Sequence, residues 1–109
     1  MYRIGVDIGG TKIAVGVFDA EKQLIASEKY YIAEAGDLPS FIKNSVERLC
    51  GGRGISLKEL AACGAAVPGT VDGEGRKIIK APNIKALSEN FARDLELQLG
   101  FPVKLVQDS

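Results

Sequence analysis

Two short apolar segments on either side of a glycine pair constrain the fold of this chain more than any other feature. Tyr2, Ile4, Val6 and Ile8 alternate with Arg3, Gly5 and Asp7, the period of a strand. Ile13, Val15 and Val17 alternate with Ala14, Gly16 and Phe18, which reads as a strand buried on both faces. Between them, Gly9-Gly10 is a hairpin dipeptide, because glycine reaches positive φ without steric cost. The segment therefore reads as strand–turn–strand. Such a turn exposes successive backbone N–H groups, a nest for anionic oxygens. Thr11 adds a hydroxyl, Lys12 a positive charge, and Asp7 a carboxylate that could hold a hydrated Mg²⁺. A plain turn with solvated charges at its ends also fits these residues taken alone. The spacing is not that of a P-loop, and no GxGxxG opens a helix.

Beyond the hairpin, Asp19-Ala20-Glu21-Lys22 reads as a turn and Gln23 to Ala33 as a third strand, completing an antiparallel meander. The period then changes. Leu38, Phe41, Ile42, Val46, Leu49 and Cys50 recur at helical steps, with Asp37 placed to cap the start and Gly51-Gly52 to end the helix. Ser56 to Leu60 reads as one short helical turn. Ala61 to Val67 reads as a buried fourth strand of small residues ending at Pro68-Gly69. Asp72-Gly73-Glu74-Gly75, within Val71 to Ala81, reads as the tip of a protruding hairpin or loop. A second helix is expected over Ser88 to Leu99 with Gly100 at its exit, then a fifth strand over Val103 to Val106. The order β-β-β-α-β-α-β implies an α/β fold, a mixed five-stranded sheet with helices on its faces. Ligands of such sheets collect at the carboxyl ends of the strands. Asp7, Pro68-Gly69 and Asp108 all fall there, so Asp7 and Asp108 are expected to face one cleft.

The chain has 109 residues, one domain's worth. Its fourteen basic and fourteen acidic residues cancel, so charge points to neither nucleic acid nor an anionic membrane surface. Histidine is absent, which removes imidazole acid/base chemistry and imidazole metal ligation from this chain. Cys50 and Cys63 match no zinc spacing and are read as reduced, structural residues of a cytoplasmic protein. Met1 leads straight into a strand, read as no signal peptide, and no apolar run is long enough to span a bilayer.

Asp7-Ile8-Gly9-Gly10-Thr11-Lys12, Val67-Pro68-Gly69-Thr70-Val71-Asp72, Ala81-Pro82-Asn83-Ile84 and Gln107-Asp108-Ser109 resemble, in that order, four motifs of the ROK family. That family groups bacterial sugar kinases with sugar-responsive repressors. The resemblance implies the ribonuclease H-like fold of the N-terminal domain of actin-like ATPases. It also implies that residues 1–109 are the N-terminal lobe of a two-lobed, glucokinase-like sugar kinase whose C-terminal lobe is absent from this chain. Gly9, Gly10, Thr11 and Lys12 would then face the ATP phosphates, with Asp7 near Mg²⁺. Gly69 and Asn83 would line the sugar pocket, and Asp108 would be the catalytic base that accepts the hydroxyl proton. Gln107 stands where family kinases usually carry Asn, which shifts or removes a contact to a sugar hydroxyl. The second phosphate motif and any structural zinc would belong to the missing lobe, so the isolated chain is expected to be inactive. Expected partners are ATP and a hexose or related sugar, with no nucleic acid and no membrane; a homodimer is one form open to the full-length protein. Two rivals share the fold: a non-catalytic, sugar-sensing transcriptional regulator and an activator-type ATPase. Repressors of the family place a helix-turn-helix before the DxGGTK strand, which here begins at Tyr2, and the PN and VPG segments speak against the activator.

Overall fold

In the computed structural model, which describes residues 1–80 and 87–108, the alternating segments pair as read. Strand β1 (Tyr2–Ile8) runs antiparallel to β2 (Lys12–Phe18), in register from Arg3↔Phe18 to Ile8↔Ile13. Strand β3 (Leu24–Tyr31) continues the meander along β2. It ends earlier than its sequence suggests. The Ile32 N–H donates to the Thr11 carbonyl at 2.8 Å, and Ile32–Glu34 then curls into a 3₁₀ turn.

Helix α1 (Leu38–Gly51) starts where Asp37 accepts a hydrogen bond from the Ser40 N–H at 3.1 Å, with Pro39 in its first turn. It ends at the glycine pair as read, with Gly51 its last residue and Gly52 its C-cap, while the left-handed reversal falls two residues further on at Gly54, φ +70°. There the Ile55 N–H bonds the Cys50 carbonyl at 2.9 Å and the Gly54 N–H bonds that of Gly51 at 3.3 Å. Burial of both Cys50 and Ile55 completes the capping pattern. The short turn read from the sequence is present at Leu57–Glu59; Ser56 and Glu59 form a reciprocal capping box over it and deliver the chain to β4 (Leu60–Pro68).

Strand β4 lies parallel to β1. A two-stranded ribbon follows, β5 (Thr70–Val71) with β6 (Ile78–Lys80). Helix α2 (Phe91–Leu99) begins three residues later than expected, because Ser88 to Asn90 form a turn closed by the Phe91 N–H on the Ser88 carbonyl. Strand β7 (Val103–Asp108) lies parallel to β4 and extends past Val106 to include Gln107 and Asp108. The sheet order is β3-β2-β1-β4-β7, a mixed five-stranded α/β sheet.

Both helices cover one face. Ile4, Val6 and Ile8, Ile13, Val15 and Val17, Cys63, Ala65 and Val67, and Val103 and Leu105 point into a core closed by Ile42, Val46, Phe91 and Leu95. Each fully buried aliphatic or aromatic side chain there contributes roughly 1.5–3 kcal/mol. At the edge, α1 meets β3 through the edge-to-face pair Phe41–Tyr30, ring centroids 4.6 Å apart, and through polar groups. Ser45, 0% exposed, donates to Glu28 at 3.0 Å, and Arg48 reaches both Glu28 and the Tyr30 hydroxyl. The opposite face carries Gly5, Gly16, Gly64, Ala14 and Ala66, and no described helix covers it. On this face Gly64 of β4 is exposed, whereas β2, read as buried on both faces, keeps Gly16 buried and Ala14 and Phe18 half-buried.

The segment read as a protruding tip folds back instead. The Leu105 N–H donates to the Gly75 carbonyl at 2.7 Å, extending the sheet past β7. The Arg76 guanidinium bonds Glu96 at 2.8 Å and the Val103 carbonyl, while Glu96 accepts from the Val103 N–H at 2.9 Å. Gly75, at φ +69°, admits no Cβ, which would lie 2.7 Å from the Leu105 carbonyl oxygen. These bonds hold the Glu96 carboxyl below its ordinary 4.5, chiefly through the Val103 N–H and then Arg76. The Arg76 and Lys77 N–H groups hold Asp72 below 3.8. Folded-state values below unfolded ones mean stability that is present above the unfolded pKa and lost as pH falls. The urea midpoint should therefore be insensitive to these groups near neutrality and decline as the medium drops below about pH 4.5. Glu96→Gln should be less stable than wild type at pH 7 and show a shallower acid decline. An unchanged pH profile in that variant would remove Glu96 as a cause.

Candidate functional site

The hairpin between β1 and β2 closes through the Gly9 N–H, which donates to the Lys12 carbonyl at 2.9 Å. Gly10 and Thr11 make the reversal, one residue later than the glycine pair suggests. Neither Gly9 nor Gly10 adopts positive φ, so the conformational reason for glycine given by the sequence does not hold. Packing supplies none at Gly10 either. A Cβ there would meet nothing within 4 Å, and one on Gly9 would meet only the Lys12 carbonyl oxygen at 3.4 Å. What these glycines leave is bare backbone. Among the described residues no acceptor takes the Gly10 or Thr11 N–H, so the tip presents donors to solvent as an anion nest does.

The surroundings fix this tip. Ile8 and Ile13, both 0% exposed, form the rung beneath it. The Ile32 N–H ties down Thr11, and the Lys12 ammonium lies 5.5 Å from the Tyr31 ring centroid, a cation–π contact that restrains the charge. Asp7, Gly10, Thr11 and Lys12 are exposed and Gly9 half-buried. Asp7, Gly9, Gly10, Thr11 and Lys12 line one depression of ≈ 430 Å³ together with Ile13, Ala14 and Lys29. Lys29 is a residue the sequence did not single out. It enters through register alone, because Lys29 pairs with Ala14 and Ala14 with Asp7.

Gly69 follows β4 directly at φ +114°, a conformation L side chains rarely adopt, so the Pro68-Gly69 turn needs glycine. Across β4, Pro68 pairs with Asp108 and Val67 with Gln107. The Asp108 backbone lies two residues beyond Val106, which pairs with Ala66 in the row of Asp7. Gln107 is exposed at the strand end, beside Val67 of the helix-covered row. Asn83 and the Ala81-Pro82-Asn83-Ile84 segment lie outside the described residues. The hairpin and the ends of β4 and β7 thus share one edge of the sheet, the edge where open α/β sheets bind ligands.

The chemistry of this donor set suits a magnesium–phosphate group. Mg²⁺ is commonly held by one or two carboxylates, its remaining positions going to water and substrate phosphates. Asp7 supplies one carboxylate beside bare amides and an ammonium group. Among the described residues no three His, Cys, Asp or Glu side chains gather to form a metal cage. Cys50 and Cys63 are buried free thiols, and burial pushes Cys63 up to about 12, which suits packing rather than reactivity. No helix is long and apolar enough to cross a membrane among the residues described.

The chain is similar to known proteins along nearly its whole length. A glucokinase of Streptomyces coelicolor is 32% identical over 106 residues, which cover 97% of this chain and 32% of that relative. The chain thus spans about a third of the length of the curated relatives it matches. The crystal structure of a ROK hexokinase from Thermus thermophilus superposes with a TM-score of 0.78 at 33% identity, covering 98% of this chain and 35% of that one. A ROK family glucokinase from Streptomyces griseus, solved in complex with glucose and AMPPNP, gives 0.74 at 30% identity, over 98% of this chain and 33% of that one. The family model described as ROK matches residues 3–109. Since that match takes in the hairpin, the Pro68-Gly69 turn and the end of β7 alike, the chain belongs to the ROK family.

Proposed function

We propose that this chain is the phosphate- and sugar-binding N-terminal lobe of an ATP-dependent kinase that phosphorylates a hydroxyl of a hexose or related sugar. The observation that carries the reading is the hairpin tip. Two N–H groups without an acceptor among the described residues, a restrained ammonium and a carboxylate line one open depression, and neither strain nor packing accounts for its glycines. In this reading Gly9, Gly10 and Thr11 receive phosphate oxygens and Lys12 offsets their charge. Asp7 positions Mg²⁺ through water, and Mg²⁺ supplies charge neutralisation on the transferred group. Gly69, Asn83 and Gln107 contact the sugar, and Asp108 accepts the proton of the attacking hydroxyl. The similarity to relatives named as glucokinases supports the kinase reading over a regulator.

The test has two arms. A longer protein carrying this lobe should convert a hexose and Mg·ATP to sugar phosphate, read by ³¹P NMR. The 109-residue chain alone should not, because transition-state stabilisation needs the closed two-lobed cleft. Robust turnover by the purified chain would place the active site elsewhere. Gly10→Val sharpens the assignment. The Gly10 Cβ position is open and its φ is not left-handed, so thermal stability should change little, yet the methyls occupy the space meant for phosphate. The KM for ATP should rise several-fold while the sugar KM holds. An unaltered KM for ATP would leave the glycine pair without a role.

A further inference from the structure

The depression at the hairpin adjoins a second one, of ≈ 490 Å³, on the uncovered face of the sheet. Asp7, Ala14 and Lys29 line both. They sit side by side on β1, β2 and β3, at a strand spacing of about 4.8 Å. Only the methyl of Ala14 separates the lysine stem from the aspartate. The Lys29 chain can therefore lie across Ala14 toward the hairpin, its stem on apolar surface and its ammonium at the rim.

Charge makes this placement informative. The hairpin depression holds one carboxylate, Asp7, and two ammonium groups, Lys12 and Lys29. Without Lys29 the formal charges cancel; with it the concavity is positive. Neither Lys29 nor Asp7 forms an ion pair within 4 Å among the described residues, so Lys29 is not spent on neutralising its neighbour. A cation held one small residue from a magnesium-directed carboxylate, beside an amide nest, is placed for an anion bound between them.

We propose that Lys29 is a second phosphate-binding residue of this site, taking oxygens of a triphosphate tail opposite those received by the hairpin amides. The assignment rests on the phosphate reading of the hairpin. It makes the β3 register, and not the DxGGTK segment alone, part of the binding surface. Because Lys29 touches phosphate and no base or ribose, its removal should weaken inorganic tripolyphosphate and Mg·ATP alike.

The experiment titrates the ¹⁵N-labelled 109-residue chain with each of these probes in the presence of Mg²⁺, following the Gly9, Gly10 and Thr11 amides. Lys29→Met should raise both dissociation constants roughly five-fold, the upper range for one solvent-exposed ionic contact. Lys29→Arg keeps the charge and should stay near wild type. Lys58→Met removes an exposed charge from the turn at the other end of the sheet and should have no effect. Preserved amide dispersion shows that each variant is folded. Equal dissociation constants for Lys29→Met and Lys58→Met would overturn the Lys29 assignment while leaving the hairpin reading intact. If neither probe moves the wild-type hairpin amides, the phosphate reading fails and Lys29 falls with it.

Discussion

Asp108→Asn, in a protein assayed with hexose and Mg·ATP, should lower kcat by roughly 10²- to 10⁴-fold, the usual contribution of a general base. Sugar affinity should change little. Asn keeps the size and much of the hydrogen-bonding shape of Asp but cannot take up a proton from the attacking hydroxyl. Asp108 is the last residue of β7 and pairs with Pro68 of β4. That pairing sets it beside the Gly69 turn, which only glycine makes without strain. A variant that merely loosened the strand end would instead raise the KM for sugar and lower stability together. Single-turnover measurements should show the loss in the phosphoryl-transfer step itself. Near-normal kcat under chemistry-limited conditions would reassign Asp108 to a structural role at the end of β7.

Much of this architecture was legible because its signals are local. Period-two alternation gave β1 and β2, and the helical stripe between Asp37 and the Gly51-Gly52 pair gave α1. What stayed hidden depended on partners distant in sequence. Asp72 to Gly75 have the composition of an exposed loop tip. Only the tertiary pairing of Arg76 with Glu96, and of Gly75 with Leu105, shows that they close the sheet edge. The glycine pair marked the end of α1, but not the left-handed residue beyond it. The chain reverses at Gly54, where Ile55 can bury against Cys50. At the candidate site, the residue types of the hairpin were readable while their physical reason was not. Glycine there serves neither φ nor packing. Lys29 could not have been found at all, since placing it beside Asp7 requires two strand registers, one with an irregularity at Val17/Phe18.

Ile13→Ala should couple stability to the site more directly than any substitution at the tip. Ile13 is 0% exposed and pairs with Ile8, also 0% exposed, as the last rung before the Gly9–Lys12 turn. Truncating a fully buried isoleucine costs about 2–5 kcal/mol, transfer and cavity terms together. That is a large share of the roughly 5–15 kcal/mol that holds a domain of this kind. The loss should not be spread evenly. The Gly9 bond to Lys12 and the Thr11 bond to Ile32 both hang on the backbone that this rung anchors. Hydrogen exchange at the Gly9 and Ile32 amides should therefore accelerate more than at Ala65, which lies 0% exposed in the middle of β4. Ile13→Val retains most of the side chain and should cost only about 0.5–1.5 kcal/mol, with the hairpin still protected. Comparing the two separates a site that tolerates a small cavity from one that needs a rigid floor. A uniform rise in exchange across the sheet for Ile13→Ala would mean that the hairpin unfolds only with the whole domain, and that the rung does not control the tip.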